Sequence, residues 1–354
     1  MKDERKLTFD GLCIEVTRRC NMLCPHCFRG EQQNIDIDNS YIDELFRKTD
    51  IIHSLEITGG EPTLAIDKLE YIIDKLYEYK IPIFEFHLFT NALIFNDRIV
   101  SVLKRYGELV KLCREIGCKN DLLPSYKNVL IEVSIDKFHS NKETVENNFQ
   151  KYKTALDGLA SVYKKAVGNV YNKLGRAKNL PGGVKNTNFK DRVNKRIEIL
   201  DKEHKPLCPQ YETYKLLDSQ QILICCDMYL NCHGNLLVYS LGSYEYEVED
   251  NEKYIVCNVF NDDIYSAILK YNEGKTDCLT LFKLNLENTI KHPLNDLSDK
   301  LFILAHQSEN DSDIPIMNKG HGWVDLDEFT SIMAIRPETV NDLIAFAENR
   351  DYMK

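Results

Sequence analysis

Several things are missing from this sequence. No run approaches the roughly 18 consecutive apolar residues of a membrane span, and Met1 to Phe9 is charged where a signal peptide would be apolar. A cytoplasmic protein with no membrane partner is therefore expected. Basic residues are in deficit, 45 Lys and Arg against 55 Asp and Glu for a formal charge of −10, so a generic phosphate-binding face is disfavoured and bulk nucleic acid is not an expected partner. There is no internal repeat or low-complexity tract, and only 16 Gly and 10 Pro stand among 354 residues, which excludes collagen-like chains.

What is present is a folding composition, 43% hydrophobic and 28% charged, at a length that suits two domains or one large α/β domain with an extension. Twelve cysteines are many for a reducing compartment, where clustered thiols bind metal or do chemistry more often than they pair.

Strand-like runs alternate with helical periods in the first half: Leu12 to Val16, Ser54 to Thr58, Ile83 to Phe89 and Val129 to Ile135 as strands, with Ser40 to Lys48, Asp67 to Tyr79, Ile99 to Ile116 and Glu143 to Tyr163 as helices. Ala166 to Leu174 reads as a fifth strand. This βα order predicts an α/β fold, a partial (β/α)6 barrel of parallel strands over residues 8–205. The polar stretch from Gly175 to Lys205, with Pro181-Gly182-Gly183, marks a boundary. A hairpin from Gln221 to Tyr239, turning at His233-Gly234-Asn235, and a helix from Asp262 to Tyr271 make a smaller α+β extension over residues 206–278, followed by a mainly helical segment, 279–354.

Cys20-Asn21-Met22-Leu23-Cys24-Pro25-His26-Cys27 directly follows the first strand, bringing three thiolates into one small volume. Thiolates hold iron–sulfur clusters, and three of them leave one iron of a cubane without a protein ligand, a position open to substrate or cofactor. Structural zinc, completed by His26 or Cys13, is the alternative reading of these residues. Gly59-Gly60-Glu61-Pro62 ends the second strand, Thr90-Asn91-Ala92 the third, and Ser134-Ile135-Asp136 the fourth, all at the edge where parallel sheets build ligand crevices.

The cysteine spacing together with the Gly-Gly-Glu-Pro turn resembles the radical S-adenosylmethionine (SAM) superfamily. The resemblance implies a 4Fe-4S cluster on Cys20, Cys24 and Cys27, with SAM chelating the unique iron. Reductive cleavage of SAM would then give a 5′-deoxyadenosyl radical that takes hydrogen from substrate. It implies that Gly59, Gly60 and Glu61 contact the SAM amino group, that Thr90 and Asn91 face the same crevice, and that Ser134 or Asp136 reaches the ribose or the substrate. His26 stands where an aromatic usually packs near the adenine, Ala92 stands where a glycine is usual, and Arg176 of Gly175-Arg176-Ala177 matches an arginine that pairs with a carboxylate. His139 serves substrate or caps a helix. An electron donor such as flavodoxin or ferredoxin is the expected partner.

Cys208, Cys225, Cys226, Cys232 and Cys257 gather around the hairpin, which resembles a SPASM or twitch domain. The likeness is incomplete, because Tyr239 stands where a cysteine is expected and the terminal cysteine array is absent. One auxiliary cluster, a single active-site cysteine such as Cys232, and thiols that merely pack remain open. Cys113 and Cys118 read as incidental, and Asp227 is a candidate acid/base or substrate contact. By analogy with hairpin-bearing members the expected substrate is a peptide or protein, although the short stretch before the first strand leaves no room for a leader-binding domain. A small molecule such as a nucleoside or cofactor precursor is the alternative, and a non-catalytic binding protein the second.

Overall fold

Alternating runs become strands in the computed structural model, which describes residues 6–117, 129–165, 174–181, 214–216, 221–238, 243–244 and 255–272. The element order is β1 (Lys6–Thr17), α1 (Asn39–Arg47), β2 (Thr49–Gly59), α2 (Ile66–Tyr79), β3 (Ile83–Thr90), α3 (Asp97–Gly117), β4 (Val129–Ser134), α4 (Lys142–Ala155), β5 (Ser161–Lys165), β6 (Tyr214–Leu216), β7 (Gln221–Leu230), β8 (Asn235–Val238), β9 (Ile255–Asn258) and α5 (Ile264–Asn272).

The strands form one sheet in the order β5-β4-β3-β2-β1-β7-β8-β9. Every pair from β5 through β1 to β7 is parallel. β8 and β9 continue antiparallel, and β6 pairs antiparallel with the early part of β7. The expected α/β class with a mostly parallel sheet is therefore found. The sixth parallel strand does not follow β5 in space: it is the first arm of the expected hairpin, laid beside β1 with Cys13 opposite Tyr229 and Ile14 opposite Leu230.

One face of the sheet carries the core. Leu12, Ile14, Leu55, Ile57, Phe86, Leu88, Ile131 and Val133 are fully buried, each side chain contributing about 1.5–3 kcal/mol relative to exposure. The helices supply the other half. α1 starts at Asp38, whose carboxylate accepts from Ser40 N at 2.8 Å, and buries Ile42, Leu45 and Phe46. α2 buries the stripe Leu69, Ile72, Ile73 and Leu76, and Tyr106 of α3 stacks on Phe86 with ring centroids 4.1 Å apart.

The fourth helix is shorter than its periodicity suggested. α4 stops at Ala155, the chain turns through Gly158 at φ 79, and β5 begins at Ser161, so Tyr163 lies on a strand opposite Glu132. A glycine just past the last apolar position is the stop signal that the periodic count overran. Of the predicted fifth strand, residues 166–173 lie outside the described residues, as do Cys208 and the whole segment 279–354.

Candidate functional site

The carboxyl ends of β1, β2, β3 and β4 bring the motif loops together. After β1 the chain doubles back: Arg18 N donates to Ile35 O at 2.8 Å, Gln33 N to Arg18 O at 3.1 Å, and Thr17 bridges Asp36. Arg19 locks this return with a forked contact to Asp36, 2.8 and 2.7 Å, and a third bond to Leu64 O. Cys20, Cys24 and Cys27 sit on the loop so formed as free, half-buried thiols, with Cys27 N donating to Cys24 O at 3.1 Å. Burial pushes the Cys20 thiol up to about 11, and the nearby Glu61 adds to this.

A second segment straps the loop. Gly175 adopts φ 51, and a Cβ there would lie 2.4 Å from Gly30 N. Arg176 N donates to Cys27 O at 3.0 Å, and Arg176 Nε donates to Gly30 O at 2.9 Å with Glu31 at 3.8 Å. Arg176 thus holds the backbone of the cysteine loop.

The glycine pair after β2 is explained by the chain itself. A Cβ on Gly59 would lie 2.4 Å from Thr17 O, and one on Gly60 2.3 Å from Arg19 O. Gly60 N donates to Thr17 O at 2.7 Å and Glu61 N to Arg19 O at 2.8 Å, so this turn is a wall against which the run into Cys20 is packed. The Glu61 carboxylate, 1% exposed, is occupied within the protein. Its Oε1 accepts from Thr63 N, Thr63 Oγ1 and Thr90 Oγ1 at 3.1, 2.6 and 2.7 Å, and its Oε2 accepts from Asn91 N at 2.6 Å. Burial raises its pKa despite these donors. The second and third motifs are therefore tied to one another through Glu61. Ala92, at the usual glycine position, adopts φ 53, the left-handed turn that a glycine takes without cost.

From β4, Asp136 meets His26 and His139. Asp136 Oδ1 accepts from Phe138 N at 2.8 Å and lies 2.7 Å from His139 Nδ1, while Oδ2 faces His26 Nε2 at 3.4 Å. Burial opposes charge on Asp136, but the His139 contact outweighs it and holds the carboxyl down to about 2. His139 is likewise disfavoured as a cation by burial, yet Asp136 and then Cys24 raise it to about 9. Burial lowers the His26 pKa against the opposing pull of Asp136, and the ring stacks on Phe138 with centroids 4.7 Å apart. His26 Nδ1 and Asp136 Oδ2 are buried without a hydrogen-bond partner. Ser134 ends β4 opposite Lys165, two residues before Asp136 in the chain.

Cys232 follows β7 at 3% exposure. Its Sγ donates to Glu15 O at 3.3 Å and its N to Glu15 Oε2 at 3.1 Å; burial, then the Glu15 charge, holds the thiol well above its ordinary pKa. Cys257 packs among core residues, and burial pushes it up to about 12. Asp227 stands opposite Gly11 on β7, and its side chain, like those of Cys225 and Cys226, lies outside the described residues.

Sequence reasoning missed two buried polar groups on the sheet face away from the helices. Glu15, fully buried, pairs with Arg18 at 2.9 Å. Tyr163 OH donates to Glu132 Oε2 at 2.9 Å and lies 3.1 Å from His87 Nε2, linking β3, β4 and β5. The available signal was alternation itself: parallel strands covered on both faces read as continuous apolar runs, whereas these alternate.

Fold and site define a class: a mostly parallel α/β sheet carrying three thiols on one loop at its carboxyl edge. Residues 14–117 match the family model of the Radical SAM superfamily. It is 31% identical over 122 residues to an uncharacterized protein of Methanocaldococcus jannaschii, covering 33% of this chain and 42% of that one. It is 27% identical over 172 residues to the GTP 3′,8-cyclase of Clostridium acetobutylicum, covering 46% of each. The chain thus spans less than half the length of these curated relatives. Native anSMEcpe with bound AdoMet and Cp18Cys peptide superposes with a TM-score of 0.44 at 13% identity, covering 96% of this chain and 99% of that one, below the level at which a shared fold follows.

The superfamily implies a 4Fe-4S cluster and SAM, and the residues present fit both. Three uncrosslinked thiols are the donor set for such a cluster. The buried His26 Nδ1, without a hydrogen-bond partner, and Asp136 Oδ2, held only at 3.4 Å from the His26 ring, suit a polar ligand. Among the described residues no helix is long and apolar enough to cross a membrane.

Proposed function

We propose that this chain is a radical SAM enzyme. The observation that carries the reading is the convergence, at one edge of a parallel sheet, of Cys20, Cys24 and Cys27 with the Gly59-Gly60-Glu61 turn and the buried Asp136 group. A cluster held by these thiols would, when reduced, supply the single electron for reductive cleavage of SAM and hence for radical hydrogen abstraction.

The chain's own residues prepare this chemistry. Cys20, Cys24 and Cys27 would hold the iron, and Arg19, Gly60 and Arg176 fix the loop that presents them. Thr90 and Asn91 are set in place by Glu61. His26, braced by Phe138, offers a ring face, and Asp136 orients His139 and supplies an acceptor for a ribose or substrate hydroxyl. Ser134 lies within the same crevice edge.

Residues 8–205 form the radical SAM unit in this reading and 206–278 a SPASM/twitch-like region. The hairpin, with its Gly234 turn and the Val259 N to Gly234 O bond of 2.8 Å, supports a peptide or protein substrate by resemblance. The relative named as a GTP 3′,8-cyclase supports a small molecule, the second reading. For the second-half thiols, burial of Cys257 in the core supports packing over cluster ligation, while Cys232, kept protonated, suits a thiol that acts as such. The reaction is cytoplasmic and draws its electron from a flavodoxin- or ferredoxin-like donor.

Anaerobic reconstitution followed by dithionite and SAM is the test. Release of 5′-deoxyadenosine, abolished when Cys20, Cys24 and Cys27 are together replaced by alanine, is the expected outcome. Iron bound without any release would favour a non-catalytic binding protein, and a colourless zinc protein would refute both. Iron near four or near eight per chain separates one cluster from two.

A further inference from the structure

The side-chain amide of Asn91 has only one orientation available. Its Oδ1 accepts from Leu93 N at 3.0 Å, and because a backbone N–H can only donate, both N–H bonds of Nδ2 face the cysteine loop. One donates to Asn21 Oδ1 at 2.7 Å. The other faces Cys20, with Nδ2 to Sγ at 4.0 Å. The backbone beneath is equally fixed, since Asn91 N donates to Glu61 Oε2 at 2.6 Å and Ala92 turns the chain at φ 53. At 7% exposure the amide is largely shielded from competing water.

We propose that Asn91 is a positioning residue for the cluster. Its amide N–H donates to the Cys20 sulfur and raises the cluster's reduction potential, and Glu61 acts through it from one step further out. The inference rests on the radical SAM reading and gives Asn91 a role apart from touching SAM. A donor aimed at a ligating sulfur stabilises the more negative, reduced state more than the oxidised one, so the electron is accepted more readily.

The experiment is a potentiometric titration of the reconstituted full chain without SAM, followed by EPR, in the native protein, N91D and N91A. N91D keeps the size and the acceptor for Leu93 N but removes both donors, and N91A removes them without adding charge. The midpoint is expected to fall in both. Loss of one charge-assisted hydrogen bond is worth up to about tenfold in the reduction equilibrium, which is about 59 mV for a one-electron couple. A variant that assembles less cluster is still informative, because the midpoint does not depend on occupancy. A fall in N91D alone, or in neither, overturns the inference. So does weakened SAM binding with an unmoved SAM-free potential, the pattern of a direct SAM contact. Failure of the native chain to form a cluster overturns the radical SAM reading and this inference with it, whereas an intact cluster of unchanged potential overturns this inference alone.

Discussion

Replacing Gly60 by alanine should disturb the cysteine loop through the backbone alone. The added Cβ would stand 2.3 Å from Arg19 O, 2.7 Å from Arg19 C and 3.0 Å from Arg18 O, and none of these atoms is the movable end of a side chain. Gly60 is not among the positive-φ glycines, so space is the whole constraint. Relief requires the run Thr17 to Arg19 to move off the β2 turn, which strains the bonds from Gly60 N to Thr17 O and from Glu61 N to Arg19 O. Overpacking costs about 1–3 kcal/mol and each weakened hydrogen bond about 1 kcal/mol, for a total of about 3–5 kcal/mol. Urea unfolding of the iron-free chain reads the stability, and iron and sulfide counts after anaerobic reconstitution read the loop, which begins one residue later at Cys20. G107A is the control: its new Cβ meets nothing closer than 3.4 Å, and alanine in α3 gains up to about 1 kcal/mol of helix propensity. G60A within about 0.5 kcal/mol of native, the range of an ordinary surface change, with full iron content, would refute the packing argument.

Two further outcomes test the frame around the loop. Burial opposes the charge on Asp36, but Arg19 and Thr17 outweigh it and hold the carboxyl below its usual range. Its contribution is therefore present above the ordinary carboxylate pKa and lost as pH falls through the folded value. D36N should be about 1 kcal/mol less stable at pH 7, and the gap should close in acid; a gap independent of pH in parallel urea melts would contradict the pairing. Glu15 is fully buried with Oε2 on Arg18 Nε and Cys232 N, so E15Q removes the charge facing a buried guanidinium and should cost about 3 kcal/mol by chemical denaturation, an expectation that a loss below about 1 kcal/mol would defeat.

Much of the first half was legible because its signals are local. The α2 stripe of Leu69, Ile72, Ile73 and Leu76 is periodic, and the same four residues are the ones buried. The cysteine spacing is readable without the fold, and His26, Asp136 and His139 each stand in or beside a motif of their own in the sequence. Their meeting was not foreseen, since residues 26 and 136 come together only when β1 and β4 lie in one sheet. Arg176 lies 3.8 Å from the Glu31 carboxylate, and its closer bond is to Gly30 O, a contact made across 146 residues. The periodicity overruns the end of α4 because Tyr163 continues an apolar period beyond Gly158, where the chain turns after the helix.

Sequence alone determined the chemistry on offer: three thiols at fixed spacing, a glycine pair, and strands whose alternation marks one face for the core. Those features depend on residue type and on neighbours a few positions away. Only the tertiary structure decided what each one faces. Gly59 and Gly60 prove to be spaces kept for Thr17 and Arg19, Glu61 a tie between two loops, and the distant hairpin a sixth parallel strand beside β1. Such assignments come from contacts between segments tens to hundreds of residues apart, and a hydrogen bond or a close approach across that distance leaves no periodicity in the chain.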